Sequence, residues 1–94
     1  MKRPATHPGE ILADELSELH ISATELSRQI NVPANRVTQI IKGQRAITGD
    51  TALRLGHWFN MSPQFWLNLQ SAYDLDIAQK QIGSDLDKLP RRAA

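Results

Sequence analysis

The stretch of residues 22–43 constrains the fold more than any other part of the 94-residue chain, because it divides into two helical patterns around a turn. Ser22 can cap a first helix, and Glu25, three residues later, can complete a capping box. Asn31 tolerates the left-handed backbone that a turn requires, and Pro33 cannot extend the helix before it. The sequence therefore predicts a short helix that ends in a tight turn.

The second pattern in this stretch is an amphipathic helix over residues 34–42, which Gly43 closes at the left-handed C′ position. At about 100° per residue, Val37, Ile40 and Ile41 share one face, which we expect to be buried. Two helices that cross at a tight turn form a helix-turn-helix, whose second helix enters the major groove of DNA. The pattern thus favours a DNA-binding fold.

The outward face of this second helix carries side chains that suit the reading of DNA bases. Asn and Gln amides pair with adenine, Thr and Ala contact the thymine methyl group, and Arg pairs with guanine or holds a phosphate. The residues that we expect to read bases are Ala34, Asn35, Arg36, Thr38 and Gln39. The residues that we expect to hold phosphates, without reading sequence, are Lys42, Gln44 and Arg45. An ordinary solvated helix face is the alternative.

Charge is strongly segregated along the chain, although the net charge is only +1. Residues 7–27 carry five acids and no Lys or Arg, whereas residues 28–54 carry five basic side chains against the single acid Asp50. The basic field is therefore centred on the predicted helix-turn-helix, where a polyanion would bind.

The predicted first helix offers a second candidate surface. Glu10, Asp14 and Glu18 follow one another at intervals of four residues, so they share one face and repel each other by about 0.2–0.5 kcal/mol per pair. A basic partner protein would remove this cost. A solvated acidic face without a partner is the alternative.

Hydrophobic spacing over the whole chain predicts an all-α protein. The expected helices span residues 8–19, 23–30, 34–42, 49–59 and 63–81. They would form one domain over residues 1–82, followed by a mobile tail over residues 83–94, which is polar and contains Gly and Pro. In the fifth helix, the candidate dimer-interface residues are Phe65, Trp66, Leu69 and Tyr73. Core packing is the alternative for these aromatic and apolar side chains.

Several classes of protein are disfavoured by what the sequence lacks. The chain has no cysteine and no closely spaced pair among its three histidines, so we expect no disulfide and no metal site. It has no nucleophile motif and no glycine-rich phosphate loop, so we expect neither an enzyme nor a bound cofactor. It also has no apolar run of signal-peptide or membrane-spanning length. The expectation is a cytoplasmic binding protein.

Sequence blocks on both sides of the turn carry a family resemblance. They are HPGEIL at 7–12, NRVTQIIKGQRAIT at 35–48, TALRL at 51–55 and SPQFWLNLQSAYDL at 62–75. With these blocks the chain resembles the HigA family of antitoxins, within the Xre or lambda-repressor-like helix-turn-helix class. It departs from the broader helix-turn-helix pattern at Ser27, where Ala is usual, at Asn31, where Gly is usual, and at Pro33, where a Ser or Thr cap is usual.

The resemblance implies a five-helix bundle and a dimeric antitoxin. Such a protein would bind a HigB toxin, an mRNA-cleaving ribonuclease of the RelE type, and would repress their shared operon by binding double-stranded operator DNA. The resemblance places the family's reading-helix positions on the five candidate base readers. The acidic stripe on the first helix makes Glu10, Asp14 and Glu18 the candidate contacts for such a toxin. A solitary phage-type repressor and a protein-binding adaptor without DNA contact are the alternatives.

Overall fold

The computed structural model describes residues 5–93, and these residues form five α-helices and no strand. The helices are α1 (Pro8–Leu19), α2 (Ala23–Gln29), α3 (Asn35–Ile41), α4 (Gly49–Phe59) and α5 (Pro63–Ile82). The predicted all-α class and the five helices are confirmed, with ends that differ by at most one residue. A 3-10 helix over Gly83–Lys88 occupies the first part of the predicted tail. Residues 1–4 of the predicted domain and residue 94 of the tail lie outside the described residues.

All five helices contribute side chains to the buried interior or to residues packed against it. Its buried members are Leu12, Leu16, Leu26, Ile30, Val37, Ile40, Ile47, Ala52, Leu55 and Trp66. Val37 and Ile40 face this interior as predicted, and Ile41 packs against it while partly exposed. The same core holds α3 by its apolar face and leaves the other faces of that helix accessible.

The prediction of Trp66 as a dimer-interface residue is wrong. Only 1% of its surface is exposed in the isolated chain, because its indole ring packs inside the bundle beside Phe59 and Phe65. A side chain without accessible surface has nothing to offer a second copy of the chain. Trp66 therefore belongs to the core, which was the alternative for this part of α5.

The first four helices all end in the same kind of turn. Each is followed within two residues by a residue with positive φ, and paired backbone hydrogen bonds there define a Schellman motif. These residues are His20, Asn31, Gly43 and Asn60. At the end of α3, for example, the Gly43 N–H donates to the Ile40 carbonyl over 3.0 Å, and the Gln44 N–H donates to the Gln39 carbonyl over 2.8 Å. These compact turns let short helices reverse and pack.

The start of α1 is fixed tightly against α3. The Gly9 N–H donates to His7 Nδ1 over 2.8 Å, so the imidazole caps the helix, and the same ring meets Tyr73 of α5 edge-on. A Cβ atom on Gly9 would lie 1.9 Å from the Ile40 carbonyl oxygen. Only a residue without a side chain fits here, because the neighbour is backbone.

Replacing Gly9 tests this close approach. We expect Gly9→Ala to lower the free energy of unfolding by about 1–3 kcal/mol, because α1 must move away from α3. The matched control is Gly49→Ala, since a Cβ atom at Gly49 meets no atom within 4 Å. Urea unfolding followed by circular dichroism measures both variants. Equal unfolding midpoints for the two variants would contradict the close packing of α1 on α3.

Candidate nucleic-acid interface

The N-terminus of α3 is capped by a side chain from another helix. Ala34 at the N-cap position makes no side-chain hydrogen bond to the first turn. Instead, Ser27 of α2 places its Oγ atom 3.2 Å from the Val37 nitrogen and accepts its N–H. Ser27 and Val37 are both fully buried. A Ser or Thr N-cap would accept a hydrogen bond from this same third position of the helix.

This bond connects two of the departures from the usual helix-turn-helix pattern. Pro33 and Ala34 leave α3 without a local cap, and Ser27, in place of the usual Ala, supplies the missing acceptor from α2. The Arg36 N–H also donates to the Pro33 carbonyl over 2.9 Å. The first turn of α3 is therefore held in one register relative to α2.

The change in stability on Ser27→Ala measures how much this cap from α2 stabilises the protein. Removal of the hydroxyl leaves the buried Val37 N–H without its acceptor, so we expect a loss of about 1–3 kcal/mol in the free energy of unfolding. The control is Ser71→Ala at an exposed position of α5, which should change stability by less than about 0.5 kcal/mol. If both variants unfold at the same denaturant concentration, the cap does not stabilise α3.

All five candidate base readers keep accessible surface on α3 or at its start. Ala34 and Asn35 are exposed, and Thr38 and Gln39 are partly exposed. Their amide, hydroxyl and methyl groups lie away from the core positions Val37 and Ile40 and are available to a ligand.

The structure separates Arg36 from the other candidate base readers. Its side chain is 20% exposed, and Nη1 lies 3.3 Å from Thr51 Oγ1 and 3.6 Å from Asp50 Oδ2. The guanidinium group thus joins α3 to the first turn of α4. Sequence reasoning missed the contact of Arg36 with Thr51. Its ion pair with Asp50 could have been anticipated, because Asp50 is the one acid in a basic segment.

Arg54 likewise forms its hydrogen bonds within the bundle. Its Nη1 atom donates to the carbonyl oxygens of Ile30, at 2.8 Å, and Asn31, at 3.3 Å, at the C-terminus of α2. Its Nε atom donates to both carboxylate oxygens of Asp50. A cation at the negative end of the α2 dipole stabilises the turn that precedes α3.

Arg28 is paired within α2. The Ser22 Oγ atom accepts the Glu25 N–H over 3.0 Å, as the capping box requires, but the Glu25 carboxylate binds Arg28 rather than returning to the cap. These hydrogen bonds from Arg28, aided by one from Gln29, hold the pKa of Glu25 below its ordinary value. The predicted capping box is therefore only half formed.

The remaining cations of this segment are Lys42 and Arg45. Both are exposed at the C-terminal end of α3 or in the loop after it, and neither forms an ion pair with a described residue. Gln44 is exposed between them. Within residues 28–54, the positive charge that is free to meet a polyanion thus lies beside the accessible residues of α3.

The other predicted surfaces lie on different elements. Glu10, Asp14 and Glu18 are exposed on α1 and form no ion pair with residues 5–93. On α5, Phe65 is 40% exposed, whereas Leu69 and Tyr73 are partly buried. Sequence reasoning missed apolar surface in and beyond the second half of α5. Its exposed members are Leu75, Ile82, Leu86 and Leu89.

Two features are absent from residues 5–93. No three or more His, Cys, Asp or Glu side chains come together in a way that could hold a metal ion. None of the helices has the length and apolar character to cross a membrane.

The fold and this surface define a helix-turn-helix protein, and comparison with known proteins agrees. The helix-turn-helix family model matches residues 12–66. A HigA-family addiction-module antidote protein from Coxiella burnetii has a similar structure, with 49% sequence identity, a TM-score of 0.91 and coverage of 98% of this chain and 100% of that one.

Two further relatives identify the family more closely. The Pseudomonas aeruginosa antitoxin HigA, solved with the higBA promoter, shares 44% identity at a TM-score of 0.90, over 98% of this chain and 100% of that one. Virulence-associated protein I of Dichelobacter nodosus is 47% identical over 78 residues, which cover 82% of this chain and 72% of the relative. The chain therefore belongs to the HigA family of Xre-type helix-turn-helix proteins.

Proposed function

We propose that this protein is a homodimeric, cytoplasmic antitoxin that binds the operator of its own operon and neutralises a HigB-type mRNA-cleaving ribonuclease. The observation that carries the DNA-binding part is the accessible polar face of α3 beside the unpaired cations Lys42 and Arg45. The similar Pseudomonas aeruginosa antitoxin HigA was solved with the higBA promoter, which supports the proposal that this chain binds DNA.

In this proposal α3 enters the major groove. Asn35, Thr38, Gln39 and Ala34 contact base edges, while Lys42, Gln44 and Arg45 hold phosphates at the C-terminal end of the helix. Arg36 positions α3 against α4 in the free protein through its Nη1 atom. A two-fold dimer places two α3 helices about 34 Å apart, one turn of a palindromic operator.

Substitutions at Asn35 and Lys42 separate base reading from phosphate binding. We expect Asn35→Ala to lose about 1–3 kcal/mol of discrimination between operator and random DNA. Lys42→Ala should weaken binding to both duplexes by the same factor. It should also reduce the slope of the logarithm of the binding constant against the logarithm of the salt concentration by about 1. Fluorescence anisotropy at several salt concentrations measures both effects, with Lys80→Ala as control, because Lys80 pairs with Asp76 on α5. Equal losses on both duplexes for Asn35→Ala would remove its base-reading role.

We place the dimer interface on α5. Phe65 presents 40% of its surface, and Leu75, further along the same helix, presents 62%. Large apolar side chains left in water on one helix are typical of a surface that another protein covers. Leu69 and Tyr73 lie between them in the sequence, and part of the surface of each is accessible.

Charged substitutions on α5 and α4 test which of these two helices carries the dimer interface. We expect Phe65→Lys to weaken dimerisation by at least about tenfold, because a charge would be buried in the interface. The control is Leu53→Lys, since Leu53 is 64% exposed on α4. Sedimentation equilibrium measures the dissociation constant of each dimer. A dimer that Leu53→Lys disrupts and Phe65→Lys leaves intact would move the interface to α4.

The toxin-binding part of the proposal rests on the acidic face of α1. Glu10, Asp14 and Glu18 are exposed without a described cationic partner, so a basic protein that binds RNA would meet complementary charge there. Occupying or distorting the toxin's RNA-binding surface would neutralise it.

Reversing these three charges tests the toxin contact. We expect replacement of all three acids by Lys to weaken toxin binding by at least about tenfold, measured by titration calorimetry, because attraction becomes repulsion. The same change at Asp85 and Asp87, exposed in the 3-10 helix, is the control. Unchanged toxin affinity in the α1 variant, with operator binding intact, would exclude this face.

A further inference from the structure

Gln39 and Arg45 are joined at the exposed end of α3. The Arg45 Nε atom donates a hydrogen bond to Gln39 Oε1 over 3.0 Å. These residues meet because Gly43, at a φ of 73°, turns the chain back, and because the Gln44 N–H donates to the Gln39 carbonyl over 2.8 Å. A backbone bond and a side-chain bond therefore both hold the loop against α3.

The side-chain bond fixes the direction of the Gln39 amide. An Arg side chain has hydrogen-bond donors only, so the amide atom that faces it must be the carbonyl oxygen. The Nε2 amino group of Gln39 then points away from Arg45, and the guanidinium group keeps its Nη donors. Within residues 5–93 the bond between the two side chains is the only side-chain hydrogen bond that either of them makes. The pair thus presents mainly N–H donors.

We infer that Gln39 and Arg45 read DNA as one unit that selects guanine. Guanine shows two acceptors, N7 and O6, in the major groove, whereas adenine shows one acceptor and one donor. A free Gln side chain suits adenine, but a unit whose free groups are donors suits guanine. Arg45 is therefore a positioning residue that sets the specificity of Gln39, beyond the phosphate contact expected of its charge. This inference rests on the proposed DNA-binding function.

The experiment uses the full chain and duplexes that it selects from a randomised pool. Loss of preference in Gln39→Ala first identifies the base pair that Gln39 reads. At that position we expect the wild-type protein to favour guanine over adenine by about tenfold or more. Arg45→Ala should abolish or invert this preference.

The control is Lys42→Ala, which removes a neighbouring cation that forms no hydrogen bond with Gln39 among the described residues. This variant should bind the guanine and adenine duplexes more weakly by the same factor, so the preference for guanine should stay unchanged. The inference is overturned if Arg45→Ala lowers both affinities equally, or if the wild-type protein prefers adenine at that position. A wild-type protein that selects no sequence from the pool would instead contradict the proposed DNA-binding function itself.

Discussion

The position of α3 depends on a hydrogen bond that comes from outside the helix. Ser27 accepts the Val37 N–H in the buried contact between α2 and α3. Since Pro33 and Ala34 provide no local cap, this bond completes the first turn and sets its register on α2. The accessible side chains of α3 lie at fixed helical positions relative to Val37, so this bond also determines where they lie.

Charge pairing determines which basic side chains remain free around α3. Asp50 binds both Arg36 and Arg54, and Arg54 also binds the carbonyls that end α2. Arg28 pairs with Glu25. The internal pairs thus brace the helices around the turn, while Lys42 and Arg45 stay available at the end of α3. A basic segment is divided in this way into structural and ligand-facing cations.

Sequence reasoning predicts the helices well because their signals are local. The Ser22 cap, the Asn31 turn and the Gly43 terminus each act within a few residues, and all three are confirmed. The partners of Ser27 and Arg36 depend on how helices pack, so no local pattern could reveal them. The burial of Trp66 has the same cause, since a large apolar residue fits either a core or an interface until its neighbours are known.

Native-state hydrogen exchange at the Val37 amide tests the tertiary cap most directly. An N–H at the third position of a helix lacks an intrahelical acceptor and exchanges readily unless another group binds it. If Ser27 holds this N–H, the Val37 amide should exchange only on global unfolding, at the rate of buried core amides such as that of Leu55. Exchange at the rate of an open helix end would contradict the claim that Ser27 fixes α3.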